Sequence, residues 1–101
     1  MIIATVSFTV APGKNFEAAE YFQQVVRNVK KLTDVDARVL NQVGGPMGHF
    51  VLSSQYETLT AWDTARTKIQ HDTSFQKLVA QAGKDGLFIP GSVVSAIWQQ
   101  V

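Results

Sequence analysis

The sequence predicts an α+β fold, one domain over residues 1–101 with strands and helices in the order βαββαβ and a four-stranded antiparallel sheet. Three observations predict it. Apolar residues alternate at period two in the first ten residues and again in later short runs; between these runs they recur at steps of three and four. The last strand is apolar on both faces, which a sheet covered on one side only does not require.

The first strand places Ile2, Ala4, Val6, Phe8 and Val10 on one face and Ile3, Thr5, Ser7 and Thr9 on the other. Ala11-Pro12-Gly13 stops it, since proline removes a ladder donor and glycine permits the turn. From Lys14 to Leu32 the spacing turns helical through Ala18, Phe22, Val25, Val29 and Leu32, with Tyr21 and Val26 flanking them. The opposite side is acidic early and basic late, as the helix dipole favours.

Two strands follow, Val35 to Val43 and Met47 to Tyr56, joined through Gly44-Gly45-Pro46 as an antiparallel hairpin. A three-residue loop would pair Val43 with Met47. A four-residue loop instead sets Val35, Ala37, Val39 and Val43 beside Phe50, Leu52 and Tyr56, and leaves Arg38, Gln42, His49 and Ser53 on the other face. The second register is preferred because it separates a dry face from a polar one.

Leu59, Trp62, Ala65 and Ile69 give a helix capped by Thr58 or Thr60, and after His71 the pattern restarts with Thr73 and Gln76 as a capping box, ending near Gly83. A break is expected near Asp72. Leu87, Phe88 and Ile89 make the segment from Gly83 to Gly91 a packed loop. In the last strand, Ser92 to Val101, the residues Val94, Ala96 and Trp98 share one face and Val93, Ile97 and Val101 the other. A second copy packing sheet on sheet is the economical cover for the second face, so a homodimer is expected, with Ile97 or Val93 at its interface.

Composition narrows function by exclusion. The nine basic and eight acidic residues are dispersed and leave a net charge of +1, so no stripe exists to neutralise a nucleic acid or an anionic membrane. The absence of cysteine removes disulfides, thiolate zinc sites and a cysteine nucleophile. Two well-separated histidines without neighbouring carboxylates argue against a metal site. With no basic leader and no apolar run of about 20 residues, a cytoplasmic location is expected. Neither a phosphate loop nor a GxSxG elbow occurs.

Four stretches, "VAPGKNFEAAEYF", "FVLSSQYETLTAWDTAR", "HDTSFQKLV" and "LFIPGSVVS", together with the element order, resemble the dimeric α+β-barrel superfamily, and within it NIPSNAP-type and antibiotic-biosynthesis-monooxygenase-type proteins. The resemblance implies a ferredoxin-like subunit, a barrel shared between two sheets, and a small-molecule pocket between sheet and helices. It also implies a choice of activities: cofactor-independent oxygenation of aromatic compounds, haem degradation, or none.

The candidate residues carry two readings each. Trp62 and His71 match the helical tryptophan and iron-ligating histidine of haem-degrading relatives, yet the first strand has no asparagine, and nine residues on one straight helix would turn the two side chains apart. The alternative makes Trp62 core and His71 a helix C-terminal residue. His49 could serve as a base and Arg38 could anchor a carboxylate or enolate on the barrel side, or both could lie in a dimer interface. Phe22, Trp62 and His71 are the candidate ligand-binding residues, and Tyr21, Tyr56, Phe50 and Trp98 either join an aromatic pocket or are core. The expected function is a small-molecule pocket protein for an apolar or aromatic ligand, with no cofactor or metal, of cofactor-independent monooxygenase type; the alternative is a non-catalytic homodimeric binding or assembly module.

Overall fold

In the computed structural model, which describes residues 1–101, the expected order is present with the second helical region divided in two. Strand β1 (Ile2–Thr9) leads through Ala11–Lys14 into helix α1 (Asn15–Thr33). The amide of Lys14 donates to the carbonyl of Ala11 at 3.1 Å, and Gly13 takes φ +80°, which a residue lacking Cβ adopts without strain. Ala18, Tyr21, Phe22, Val25 and Val29 form the buried stripe of α1 and belong to one core with Phe8. This is the face the spacing predicts.

Strands β2 (Arg38–Asn41) and β3 (His49–Tyr56) make the hairpin. Val39 pairs with Leu52, and the amide of Gln42 donates to the carbonyl of His49 at 3.0 Å, which is the four-residue-loop register. Both strands are shorter than expected. The turn takes up the residues at their joined ends, where Gly45 sits at φ +100°, Pro46 has no donor, and the Gln42 side chain donates to the carbonyl of Gly44 at 2.7 Å, while residues 35–37 precede the ladder.

Helix α2 (Leu59–Gln70) is capped by Thr58, whose hydroxyl accepts from the amide of Ala61 at 3.0 Å. Helix α3 (Thr73–Lys84) starts after the expected break, but its cap is Asp72 rather than Thr73, with the carboxylate accepting from the amide of Phe75 at 2.8 Å. Thr73 is already helical and cannot cap. Gly83 lies within α3 rather than ending it. In the loop that follows, Leu87 is buried and Phe88 bridges to Val10.

Strand β4 (Val94–Gln99) pairs antiparallel with β1 from Ser7↔Val94 to Ile2↔Gln99, and the sheet order is β2-β3-β1-β4. Beyond that ladder Ser92 bonds sideways, its hydroxyl accepting from the amide of Thr9 at 3.2 Å. The result is the ferredoxin-like α+β arrangement with all three helices on one face of the sheet.

The pairings settle which side each residue of β4 occupies. Ile97 pairs with Ala4, so Ile97 and Val93 face the helices; Ala96 and Trp98 pair with Thr5 and Ile3, so Val94, Ala96 and Trp98 face away. This corrects the expectation that Ile97 or Val93 forms the interface. Only 12 of 101 residues are buried, all on the helix side or in its connecting segments, while Leu40, Val94 and Trp98 on the open face are each more than half exposed. No helix is long and apolar enough to cross a membrane.

Candidate functional site

Helices α2 and α3 stand off from β4, with α2 touching the sheet at β3 and β1. The gap is a cleft of about 670 Å³ between the sheet and the helices. Its floor is the inward face of the sheet: Ala4, Val6 and Phe8 from β1, Leu52, Ser54 and Tyr56 from β3, and Val93, Ser95 and Ile97 beside and along β4. Tyr21, Phe22, Val25 and Val29 of α1 form one wall. Trp62, Arg66, Ile69 and Gln70 of α2, with Phe75 and Val79 of α3, form the other. Seventeen of the 22 lining residues are hydrophobic, and the volume falls within the usual range for small-molecule pockets.

Its deep end is aromatic. The Phe22 ring lies 5.2 Å from Phe8, 5.3 Å from Phe50 and 5.7 Å from Phe88, which fixes that wall by packing. Beside it, burial pushes the phenol of Tyr21 above its ordinary pKa, because the charged form would lose hydration.

The outer end, where α2 is exposed, carries polar side chains of that helix. Trp62, Arg66 and Gln70 follow at steps of four, so they stack on the helix side that meets the cleft. The Arg66 guanidinium lies over the Trp62 ring at 5.1 Å; Nη2 donates to Asp63 Oδ1 at 2.6 Å and Nη1 to Gln70 Oε1 at 3.3 Å.

The sequence-nominated residues separate into two groups. Phe22 and Trp62 meet in the cleft, with Tyr21 and Tyr56. His71 does not line it; it is the exposed C-cap of α2, with Nδ1 3.0 Å from the carbonyl of Thr67. The tryptophan, histidine and asparagine of a haem-degrading set therefore do not assemble, since the histidine faces its own helix and β1 supplies no asparagine. No three His, Asp or Glu side chains gather where they could hold a metal ion.

His49 and Arg38 lie on the opposite face of the sheet, His49 paired with Thr9 and Arg38 with Ser53. They do not converge. Four residues of strand, about 13 Å, separate their rows. Arg38 borders a separate polar depression of about 360 Å³ with Asp34, Asp36, Ser53 and Gln55. Trp98 is on the same outer face, its indole N–H donating to Thr5 Oγ1 at 3.2 Å.

Arg66 is the residue that sequence reasoning missed. Its signal is the spacing: it stands four residues after Trp62 and three before Ile69, so its side chain shares their side of the helix.

No protein-family model matches the sequence, and no curated protein sequence matches it. Solved structures share its fold. A NIPSNAP family protein of Agrobacterium tumefaciens superposes with a TM-score of 0.80 at 15% identity, covering 99% of this chain and 85% of the other. An uncharacterised NIPSNAP-domain protein of Burkholderia xenovorans gives 0.79 at 14% identity, over 100% of this chain and 95% of that one. An antibiotic-biosynthesis-monooxygenase-like protein of Deinococcus radiodurans gives 0.73 at 11% identity, over 100% and 93%. Such similarity establishes the ferredoxin-like fold common to these groups. It carries no activity with it.

Proposed function

We propose that this chain is a small-molecule pocket protein that holds a largely apolar, aromatic-sized ligand between its sheet and its helices. The carrying observation is the cleft itself: about 670 Å³, apolar on its floor and walls, with a few polar groups at defined positions. Its catalytic form is a cofactor-independent monooxygenase-type enzyme, a reading supported by the fold shared with monooxygenase-like proteins.

The two tryptophans permit a direct test, because Trp62 lines the cleft and Trp98 does not. In a Trp98→Phe protein, titration with the neutral aromatic probe N-phenyl-1-naphthylamine should quench Trp62 saturably at one site per chain, with Kd of micromolar order. Ala4→Phe fills the floor of the cleft and should abolish the quench while the protein stays folded by circular dichroism. Absence of saturable quenching in the folded protein overturns the reading. Oxygen uptake on adding an electron-rich aromatic ligand then separates an enzyme from a carrier.

A second reading concerns assembly. The helix-free sheet face, with Leu40, Val94 and Trp98 each more than half exposed, supports a homodimer formed sheet on sheet, in which the pocket is either used or idle. In the idle case the chain is a non-catalytic binding or assembly module.

A further inference from the structure

We infer that the ligand of the cleft is an amphipathic monoanion, its aromatic or aliphatic body held between sheet and helices and its carboxylate or sulfonate held at the outer end by Arg66. This inference rests on the pocket reading and adds to it the charge and orientation of the ligand.

Among the residues lining the cleft, Arg66 is the only one charged at neutral pH; no carboxylate lines it. The guanidinium is already positioned. It lies over the Trp62 ring, and its contacts to Asp63 and Gln70 engage two of its five N–H donors. The remaining donors suit a planar, bidentate acceptor better than a point charge. Asp63 is no obstacle, because its side chain is 58% exposed and an exposed pair of this kind is weak enough for a desolvated ligand anion to compete.

Gln70 adds polarity of the same sense. Its Oε1 accepts from Arg66, so the part of the amide left for a ligand is the donor NH2. The outer end of the cleft therefore presents donors from two successive turns of α2 above an apolar chamber. A cationic ligand would meet Arg66 with like charge. A neutral ligand would leave these exposed donors to water and gain nothing from them.

The test compares two probes sharing the same aromatic body, 1-anilinonaphthalene-8-sulfonate, which is anionic, and N-phenyl-1-naphthylamine, which is neutral. Each is titrated into wild type, Arg66→Gln and Arg66→Lys, with amide shifts at Ser54, Ile69 and Ile97 placing the probe in the cleft. The expected result is that Arg66→Gln weakens the anionic probe about tenfold and the neutral probe less than twofold, with Arg66→Lys intermediate. Equal weakening of both probes would make Arg66 a merely structural wall residue, and unchanged binding of the anion to Arg66→Gln would remove its role; either overturns the inference and leaves the pocket standing. If neither probe enters the cleft of the wild type, the pocket reading and this inference fall together.

Discussion

Phe22 shows how one side chain serves both stability and site. It is 2% exposed and makes contacts with four other aromatic rings, yet part of its surface borders the cleft. Truncation to alanine should cost about 3 kcal/mol, the low end for phenylalanine because the pre-existing space lets the neighbours collapse, and urea unfolding measures it. Its neighbour Tyr21 gives a pH prediction. Burial raises its pKa above 10.0, so the unfolded chain loses that proton first; the stability is complete below pH 10 and is lost as pH rises through the folded value. Lys30, raised by hydrogen bonds to Asp36 and Asp34, acts in the same direction from an exposed position. The alkaline fall in melting temperature should therefore shrink, without vanishing, in Tyr21→Phe. At this scale Phe22 and Trp62 are legible because their helical spacing points inward, and His71 is legible as a helix C-terminal residue, its ring turned back onto Thr67.

Among the elements, the junction of α2 and α3 is where local chemistry decides the shape of the cleft. The break frees the second helix to take its own direction, so Phe75 and Val79 reach the wall that Trp62 and Ile69 begin. Asp72 holds the junction with an extended backbone, φ −82° and ψ 122°, and a carboxylate on the amide of Phe75. Asp72→Ala should cost about 1 kcal/mol and weaken pocket binding, while Thr73→Ala should stay within about 0.5 kcal/mol; denaturant melts of the two variants distinguish them. Sequence periodicity located the break but put the cap one residue late, because Thr73-Gln76 matches the capping-box pattern and only backbone geometry reveals that Thr73 is already in the helix. The hairpin went the other way. There the pairing of Val39 with Leu52 carries the register, since a slip by one residue would have turned Val39 onto the face that bears Arg38 and His49.

For the whole molecule the question is what the open sheet face does. One layer of helices covers one side of four strands, and the other side carries Leu40, Val51, Val94 and Trp98 among Thr5, Ser7, Arg38 and His49. That both faces of the last strand are apolar was legible in the sequence. Which face the helices take was not, because alternation defines two faces without saying which one they pack on. The pairings of β4 supply the answer and convert it into a discriminating experiment. Trp98→Asp places a charge on the outward face, where burial against a second sheet would leave it unpaired at a cost of several kcal/mol. Ile97→Asp places the same charge on the cleft side, one residue away in sequence. Light scattering at micromolar concentration should give twice the 11.1 kDa chain mass for the wild type and for Ile97→Asp, and the chain mass alone for Trp98→Asp. The apolar probe should show the reverse pattern, lost from Ile97→Asp and retained by Trp98→Asp if each cleft is complete within one chain. A wild-type monomer, or a dimer indifferent to Trp98→Asp, would mean that this sheet face meets solvent rather than a second copy.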